Sequence, residues 1–273
     1  LIMKTKISFL AVSLFLLFTQ SALATKLVEV KIIDKDYLMV SFKDGDVEFV
    51  DDGLGDDAHT AAHQTSNNYT VLYGDPLNTG NAAMEGNWVL KSSDDSNFGT
   101  TGLPAANSYR KSKINGLAEM DWGAGDWNYE YTKEHHIILE LSHSMTGGKT
   151  YTLEINSNTN TDSTSETFTF DIFNKRSEAI HLNLVGFLAD SSIKAADLYY
   201  WMGDGGARNY STFEGNTVYV YNISTQQSIP VSTVTFGQNK ATETDGRYMI
   251  QSDVWHADFT GFFTPGTYRI AIE

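Results

Sequence analysis

Short segments in which apolar and polar residues alternate recur along this chain, at residues 28–32, 151–155 and 168–172 among others. Successive side chains of a β-strand point to opposite faces of its sheet, so a period of two is typical of strands with one buried face. No long segment of helical periodicity follows residue 24, and residues 56–64 are the one helix candidate. The pattern predicts an all-β fold.

The first residues have the three parts of a secretory signal peptide. Lys4 and Lys6 give a positive start after Met3, residues 7–18 form an apolar core, and residues 22–24 read Ala-Leu-Ala, a pattern that signal peptidase cleaves. A membrane anchor needs about 20 apolar residues, which this core does not reach. We therefore predict a signal peptide at residues 1–24, a mature chain that begins near Thr25, and secretion to the extracellular space or the periplasm.

The charge of the mature chain restricts its partners. Loss of residues 1–24 removes two lysines and no acidic residue, which leaves 17 basic and 34 acidic residues. Nucleic acid binding requires a basic surface, so nucleic acid is excluded as a partner, and anionic membranes are excluded for the same reason after signal cleavage. The chain contains no cysteine, so burial alone must stabilise it.

The alternating segments divide into two predicted domains with a boundary near residues 174–177. The first covers residues 25–176, and its Lys-Asp-Gly-Asp at residues 43–46 predicts a hairpin turn. Residues 51–134 form a long irregular insertion, too long for one structureless loop, so it must contain short strands or act as an elaborated binding loop. The second covers residues 177–273 and has seven short strand patterns, the number that an immunoglobulin-like sandwich needs. We predict two β-sandwich domains in tandem, the second immunoglobulin-like.

Two blocks of the second domain resemble a known family. Residues 180–190 read Ile-His-Leu-Asn-Leu-Val-Gly-Phe-Leu-Ala-Asp and precede a Lys-Ala-Ala at residues 194–196; residues 258–262 and 265–270 read Asp-Phe-Thr-Gly-Phe and Pro-Gly-Thr-Tyr-Arg-Ile. In this order and spacing they resemble the opening and closing segments of the immunoglobulin-like domain that precedes the catalytic domain in glycoside hydrolase family 9 endoglucanases. Leu184 stands where that family usually has glutamine. The first domain resembles no family that we identify.

The resemblance implies a function for a larger protein. It implies that this chain is the non-catalytic N-terminal part, a fragment, of a secreted cellulase that hydrolyses β-1,4-glucan with inversion, and that residues 177–273 support a catalytic barrel downstream. The partners implied are β-glucan and that downstream domain, and no catalytic residue of the family can be assigned here. The alternative is a separate secreted carbohydrate-binding or surface adhesion protein built of two sandwiches.

Aromatic residues among glycines indicate a sugar-binding site. Trp122, Trp127 and Tyr129 lie among glycine, aspartate and asparagine, where flat rings can stack on sugars while polar groups bind hydroxyls. Trp88 is a further candidate, and residues 199–201, Tyr-Tyr-Trp, are a weaker one. The alternative is that these rings fill a core. At the end of the second domain, Tyr268 is expected to place its hydroxyl on a backbone group at a corner of the sandwich.

Acidic pairs suggest calcium rather than catalysis. Asp51, Asp52, Asp56 and Asp57, with glycines between them, could supply oxygen ligands to a calcium ion, although their spacing does not match an EF-hand. Solvated loop charge is the default interpretation of the acidic pairs, including residues 94–95, and calcium at residues 51–57 is the more specific alternative. Adjacent carboxylates rarely face one sugar from both sides, which argues against glycosidase chemistry.

Histidines offer no recognisable catalytic pattern. His59 and His63 are spaced for one face of a short helix, but the glutamate of a zinc protease motif is missing beside them. His135 and His136 lie beside a strand pattern, with no nucleophile at a recognisable spacing.

Overall fold

The computed structural model describes residues 24–49, 69–73, 75–121, 128–242 and 250–273. The predicted signal peptide and the helix candidate at residues 56–64 lie outside these residues. The described strands are β1 (Lys26–Asp34), β2 (Tyr37–Lys43), β3 (Gly45–Phe49), β4 (Tyr69–Tyr73), β5 (Trp88–Lys91), β6 (Leu103–Pro104), β7 (Asn107–Asp121), β8 (Asn128–Glu140), β9 (Thr150–Ile155), β10 (Ser165–Thr169), β11 (Ile180–His181), β12 (Ala195–Leu198), β13 (Thr217–Asn222), β14 (Gln227–Thr233), β15 (Thr235–Gln238), β16 (Val254–Asp258) and β17 (Tyr268–Ile272).

Helical structure is confined to short pieces within the described residues. A helix α1 (Thr79–Ala82) begins after Asn78, whose side chain accepts a hydrogen bond from the backbone of Asn81. Single 3₁₀ turns occur at Glu85–Asn87, Ser157–Thr159, Gly203–Gly205, Ser211–Phe213 and Lys240–Thr242. The all-β prediction is therefore confirmed. In the part of the chain that the structure describes, no helix is long and apolar enough to cross a membrane.

The strands form antiparallel sheets that pack face to face. The central sheet has the order β1-β2-β8-β7, and the sheet β10-β9-β5-β6 packs on one of its faces. The other face meets two further sheets, β11-β12-β16-β15 and β14-β13-β17, and β3 pairs with β4.

The central sheet is buried on both faces because β2 and β8 are apolar at successive positions. Leu38 and Val40 belong to the core shared with β5 and β9, whereas Tyr37 and Met39 belong to the core shared with β12, β13 and β16. Burial on both faces is unusual for antiparallel strands, which more often have one solvated face. One sheet thus links the N-terminal and C-terminal parts of the fold.

The hairpin predicted at residues 43–46 is wrong. β2 pairs with β1 and β8, while β3, which begins at Gly45, pairs with β4. Asp44 does not sit at an exposed turn, because its buried carboxylate accepts hydrogen bonds from the hydroxyl of Thr25 and the backbone of Leu77. The Asp-Gly pair redirects the chain from one sheet to another.

The segment predicted as irregular, residues 51–134, contains long regular strand where it is described. β7 and β8 pair along most of their length, and β7 is the edge strand of the central sheet. Composition did not reveal β7 because an edge strand tolerates polar residues on both faces; its Ile114 and Leu117 are exposed.

Candidate functional site

The tryptophans of the predicted sugar site lie outside the described residues. Trp122 and Trp127 both fall in residues 122–127, and Tyr129 lies on β8 in register with Glu119 of β7. Sugar binding at this place stays a prediction.

Trp88 is not a surface ring that could stack on a sugar; for this residue the alternative, that the ring fills a core, is confirmed. Its side chain is fully buried, and its indole N–H donates to the carbonyl of Ala82 over 2.9 Å. Its ring lies 6.1 Å from that of Phe42 on the central sheet. Trp88 is a core residue because the alternation of β5 turns it inward.

The weaker aromatic candidate, residues 199–201, is divided among three environments. Tyr200 is buried with its hydroxyl 3.1 Å from the sulfur of Met39, and Tyr199 stacks on His181 with 4.1 Å between ring centres. Trp201 alone keeps a large exposed face, at 37% of its surface. One ring is too little for a stacking platform.

The acidic residues proposed for calcium, and the histidine pair that follows them, lie outside the described residues; they are Asp51, Asp52, Asp56, Asp57, His59 and His63. Among the residues that are described, no group of three histidine, aspartate or glutamate side chains is arranged to hold a metal ion.

The acidic pair at residues 94–95 stabilises a loop. Asp95 is buried and accepts a hydrogen bond from the hydroxyl of Tyr151 over 2.5 Å, and Asp94 accepts one from Ser92 over 2.6 Å. Burial tends to raise the pKa of Asp95, but the Tyr151 hydroxyl and neighbouring backbone groups outweigh it and hold that pKa below its ordinary value. The reading of Asp95 as solvated charge is wrong, because this carboxylate organises the loop.

Among the described residues, the most exposed large apolar side chains lie at residues 182–193, a run that we call the apolar segment. Leu184 and Val185 are fully exposed, and Leu188 and Ile193 are about three-quarters exposed. Scattered exposed apolar residues are ordinary, whereas a large contiguous apolar patch is typical of an interaction surface, so the apolar segment is a candidate for one.

Local hydrogen bonds hold the apolar segment in place. The side-chain oxygen of Asn183 accepts from the backbone N–H groups of Val185 and Gly186, at 3.0 and 2.6 Å. Gly186 has a φ of +93°, a conformation that favours glycine. Phe187 anchors the turn by packing edge-on against Phe259, with 5.2 Å between ring centres. The turn therefore directs the side chains of Leu184 and Val185 into the solvent.

A buried lysine fastens the end of the same segment. Lys194 is only 3% exposed, and its ammonium donates to the carbonyl of Ala189 over 2.6 Å. The same ammonium lies 4.6 Å above the ring centre of Phe263, which is itself 61% exposed. Phe263 is thus a further exposed apolar ring beside Lys194, at the end of the apolar segment.

A cavity of about 520 Å³ adjoins the segment at Leu182 and Leu184. Its walls come from β1, the connection at residues 170–177, β11 and β17. The guanidinium of Arg269 crosses one side of it and donates to the carbonyl of Phe173 and the side chain of Asn174, at 2.8 and 3.0 Å. Leu182 and Leu184 therefore belong both to the cavity lining and to the apolar segment.

Comparison with known proteins gives no family. No family model and no curated protein matches this chain. A pullulanase from Anoxybacillus sp. LM18-11 is similar to it with a TM-score of 0.19 and 6% identity, over 89% of this chain and 23% of the pullulanase. The chain therefore spans under a quarter of that protein's length, and a TM-score this low carries no argument about fold or function.

Sequence reasoning missed the apolar segment because its alternating residues resemble a strand. The alternation of Ile180, Leu182 and Leu184 is typical of a strand with one buried face, but β11 ends at His181, and Leu182 and Leu184 are exposed. The signal that was present is the Asn-x-x-Gly of residues 183–186, which favours a turn over a continuing strand.

Proposed function

We propose that this chain is the non-catalytic N-terminal part of a secreted protein that degrades β-1,4-glucan, and that it contains no glycosidase active site. In this proposal, residues 177–273 support a family 9 type catalytic domain that follows in the same polypeptide. The fully exposed Leu184 and Val185 are the observation that supports it. They lie within the first block of the resemblance to the supporting domain of family 9 endoglucanases.

The energetics favour a covering partner. Burial of a leucine or valine side chain contributes about 1.5–3 kcal/mol relative to full exposure. Leu184 and Val185 are fully exposed on a turn that two hydrogen bonds to the Asn183 side chain close, and Leu188 is largely exposed shortly after it. A domain packed on them would gain several such contributions at little cost in ordering the turn.

Charge is compatible with the proposed substrate. The chain without residues 1–24 has 17 basic and 34 acidic residues, and a neutral glucan is not repelled by an acidic surface. Secretion, as the predicted signal peptide implies, would bring the protein to an extracellular polysaccharide.

The coding sequence downstream of codon 273 tests the proposal. We expect an open frame that continues into a helix-rich domain, and purified residues 25–273 should release no reducing sugar from soluble cellulose derivatives. An immediate stop codon would refute the proposal that residues 177–273 support a downstream catalytic domain. The remaining hypothesis would be a separate carbohydrate-binding or adhesion protein.

A variant pair tests the docking surface in the longer protein. Val185→Ser should lower the thermal midpoint of the protein that includes the downstream domain, while that of residues 25–273 alone should not change, because the side chain is exposed there. Met84→Ser is the matched control, since Met84 is 57% exposed in the N-terminal part of the fold. Equal effects of the two variants in the longer protein would argue against docking at the apolar segment.

A further inference from the structure

Three side chains that are distant in sequence form one hydrogen-bonded line on the central sheet. The hydroxyl oxygen of Ser112 lies 2.8 Å from Nδ1 of His135, and Nε2 of the same ring lies 2.9 Å from Oδ2 of Asp44. Serine, histidine and aspartate in this order are the components of a nucleophile that a general base activates.

The register of the sheet creates this line. Ser112 of β7 is directly opposite His135 of β8, so their side chains lie on the same face. Asp44 follows the last residue of β2 and is fixed by donors on its other oxygen, the Thr25 hydroxyl at 3.0 Å and the Leu77 backbone N–H at 2.9 Å. No motif in the sequence could show this, because the three residues come from three different strands or strand ends.

The hydrogen bonds assign the proton on His135. Burial alone raises the pKa of Asp44, but the hydrogen bonds from His135, Leu77 and Thr25 outweigh it and hold that pKa below its ordinary value. An ionised carboxylate only accepts hydrogen bonds, so Nε2 of His135 carries a proton; in the neutral imidazole, Nδ1 then accepts the hydrogen bond from Ser112. In the serine protease triad, Nε2 of the histidine faces the serine and Nδ1 faces the aspartate, which is the reverse of the arrangement here. A general base requires only that the nitrogen facing the serine is unprotonated.

The hydroxyl of the Ser112–His135–Asp44 line is exposed while the other two residues are buried, as a reactive site requires. His135 and Asp44 are buried, at 2% and 7% exposure, whereas Ser112 is at the surface. The guanidinium of Arg110 donates to the Ser112 oxygen over 3.2 Å, and this positive charge favours loss of the hydroxyl proton to the base. The surface therefore presents a hydroxyl with a base behind it and a cation beside it.

We propose that Ser112 is the nucleophile of an acyl-transfer site, with His135 as its general base and Asp44 as the residue that positions the base, and that it hydrolyses esters of small carboxylic acids. This activity is separate from the support role and does not depend on it.

The chemistry is balanced with water as the second reactant. Ser112 Oγ bonds to the ester carbonyl carbon while its proton passes to Nδ1 of His135; the bond from that carbon to the alcohol oxygen then breaks, and the proton moves from Nδ1 to the departing alcohol. Water next attacks the acyl carbon and gives a proton to Nδ1. The bond to Ser112 Oγ breaks, and the serine recovers the proton.

A neighbouring line provides an internal comparison. Ser41 lies 3.0 Å from Nδ1 of His136, and Nε2 of that ring lies 3.2 Å from Glu134, but Ser41 is only 1% exposed. A substrate cannot reach a buried hydroxyl, so the Ser41 line has the same hydrogen bonds without access. Access therefore distinguishes Ser112 from Ser41.

Covalent labelling with a fluorophosphonate tests the proposal on residues 25–273. We expect mass spectrometry to locate the adduct on Ser112, and Ser112→Ala to abolish both the adduct and the hydrolysis of p-nitrophenyl acetate. Ser165→Ala is the matched control, because Ser165 is exposed on β10 and contacts no histidine in the described residues. Ser41→Ala should likewise leave labelling unchanged.

Variants of the other two residues separate chemistry from structure. His135→Gln should lower the labelling rate about 10²-fold, the usual contribution of a general base. Asp44→Asn should lower kcat for p-nitrophenyl acetate with little change in KM, whereas a merely structural role would change the thermal midpoint and leave the labelling of folded protein unaltered. Labelling of Ser112→Ala at the rate of the unaltered protein would overturn the proposal.

Discussion

The guanidinium of Arg208 lies 2.9 Å from the carboxylate of Asp36, although 172 residues separate them in sequence. Arg208 also donates to Asp34 over 3.3 Å and covers the ring of Tyr37 at 4.3 Å from its centre. All three partners belong to the turn between β1 and β2 or its edges. Arg208 therefore fastens the C-terminal part of the fold to the N-terminal hairpin.

Arg208→Met should lower the free energy of unfolding by about 3 kcal/mol, because removal of one member of a buried ion pair leaves the other charge unpaired. Asp34 would be that charge, since its carboxylate is almost fully buried. Urea unfolding measures the change. Arg176→Met is the matched control: Arg176 is 85% exposed beside Glu178, so its loss should cost under about 1 kcal/mol. Similar losses in both variants would contradict the role of Arg208.

Stability should fall as the pH decreases below about 6.5. Burial, with help from the ammonium of Lys111, lowers the pKa of His136 in the folded protein despite the carboxylate of Glu134. The unfolded chain then binds more protons than the folded chain between the folded pKa and the unfolded value of about 6.5, so the stabilisation is complete above that value and is lost below it. His136→Gln should flatten the dependence of urea midpoint on pH between 7 and 5. An unchanged slope in that variant would assign the dependence to another group.

Trp88→Ala should destabilise the protein by about 3–5 kcal/mol, as expected when a large buried aromatic side chain is removed. Trp201→Ala, at a ring that is 37% exposed, should cost much less. Thermal or urea unfolding of the two variants gives the comparison. Equal small effects would mean that Trp88 is not a core residue.

Trp122→Ala and Trp127→Ala should weaken retention of the protein on insoluble glucan without lowering its unfolding midpoint. Flat rings that stack on sugar faces lose most of their contact when truncated, and stability should not depend on them if they face the solvent. Trp201→Ala is a control from the other part of the fold. If the unaltered protein is not retained at all, these tryptophans do not form a sugar site.

The fold class followed from the sequence because alternation is a local property. The all-β prediction is confirmed, and Tyr268 places its hydroxyl 3.3 Å from the carbonyl of Pro265, as expected at a sandwich corner. The pairing of strands did not follow, because Asp44-Gly45 supports either a hairpin or a change of sheet. Long-range contacts with Thr25, Leu77 and His135 decided between them.

The candidate sites were predictable only where their signal was local. Asn183 and Gly186 form the turn that exposes Leu184, and a turn predicted from these two residues would have located the apolar segment. Ser112 and His135 are 23 residues apart and meet only through the register of β7 and β8. Such a register is set by the packing of the whole sheet, which no short motif encodes.

Solvent access at the apolar segment tests the central claim most directly. Carbene footprinting with mass spectrometry should label Leu184, Val185 and Leu188 heavily in residues 25–273 alone, because these side chains are exposed. In the longer secreted protein that includes the downstream domain, the same residues should be protected at least severalfold, while Met84 should be labelled equally in both. Equal labelling of the apolar segment in the two proteins would contradict the proposed support role.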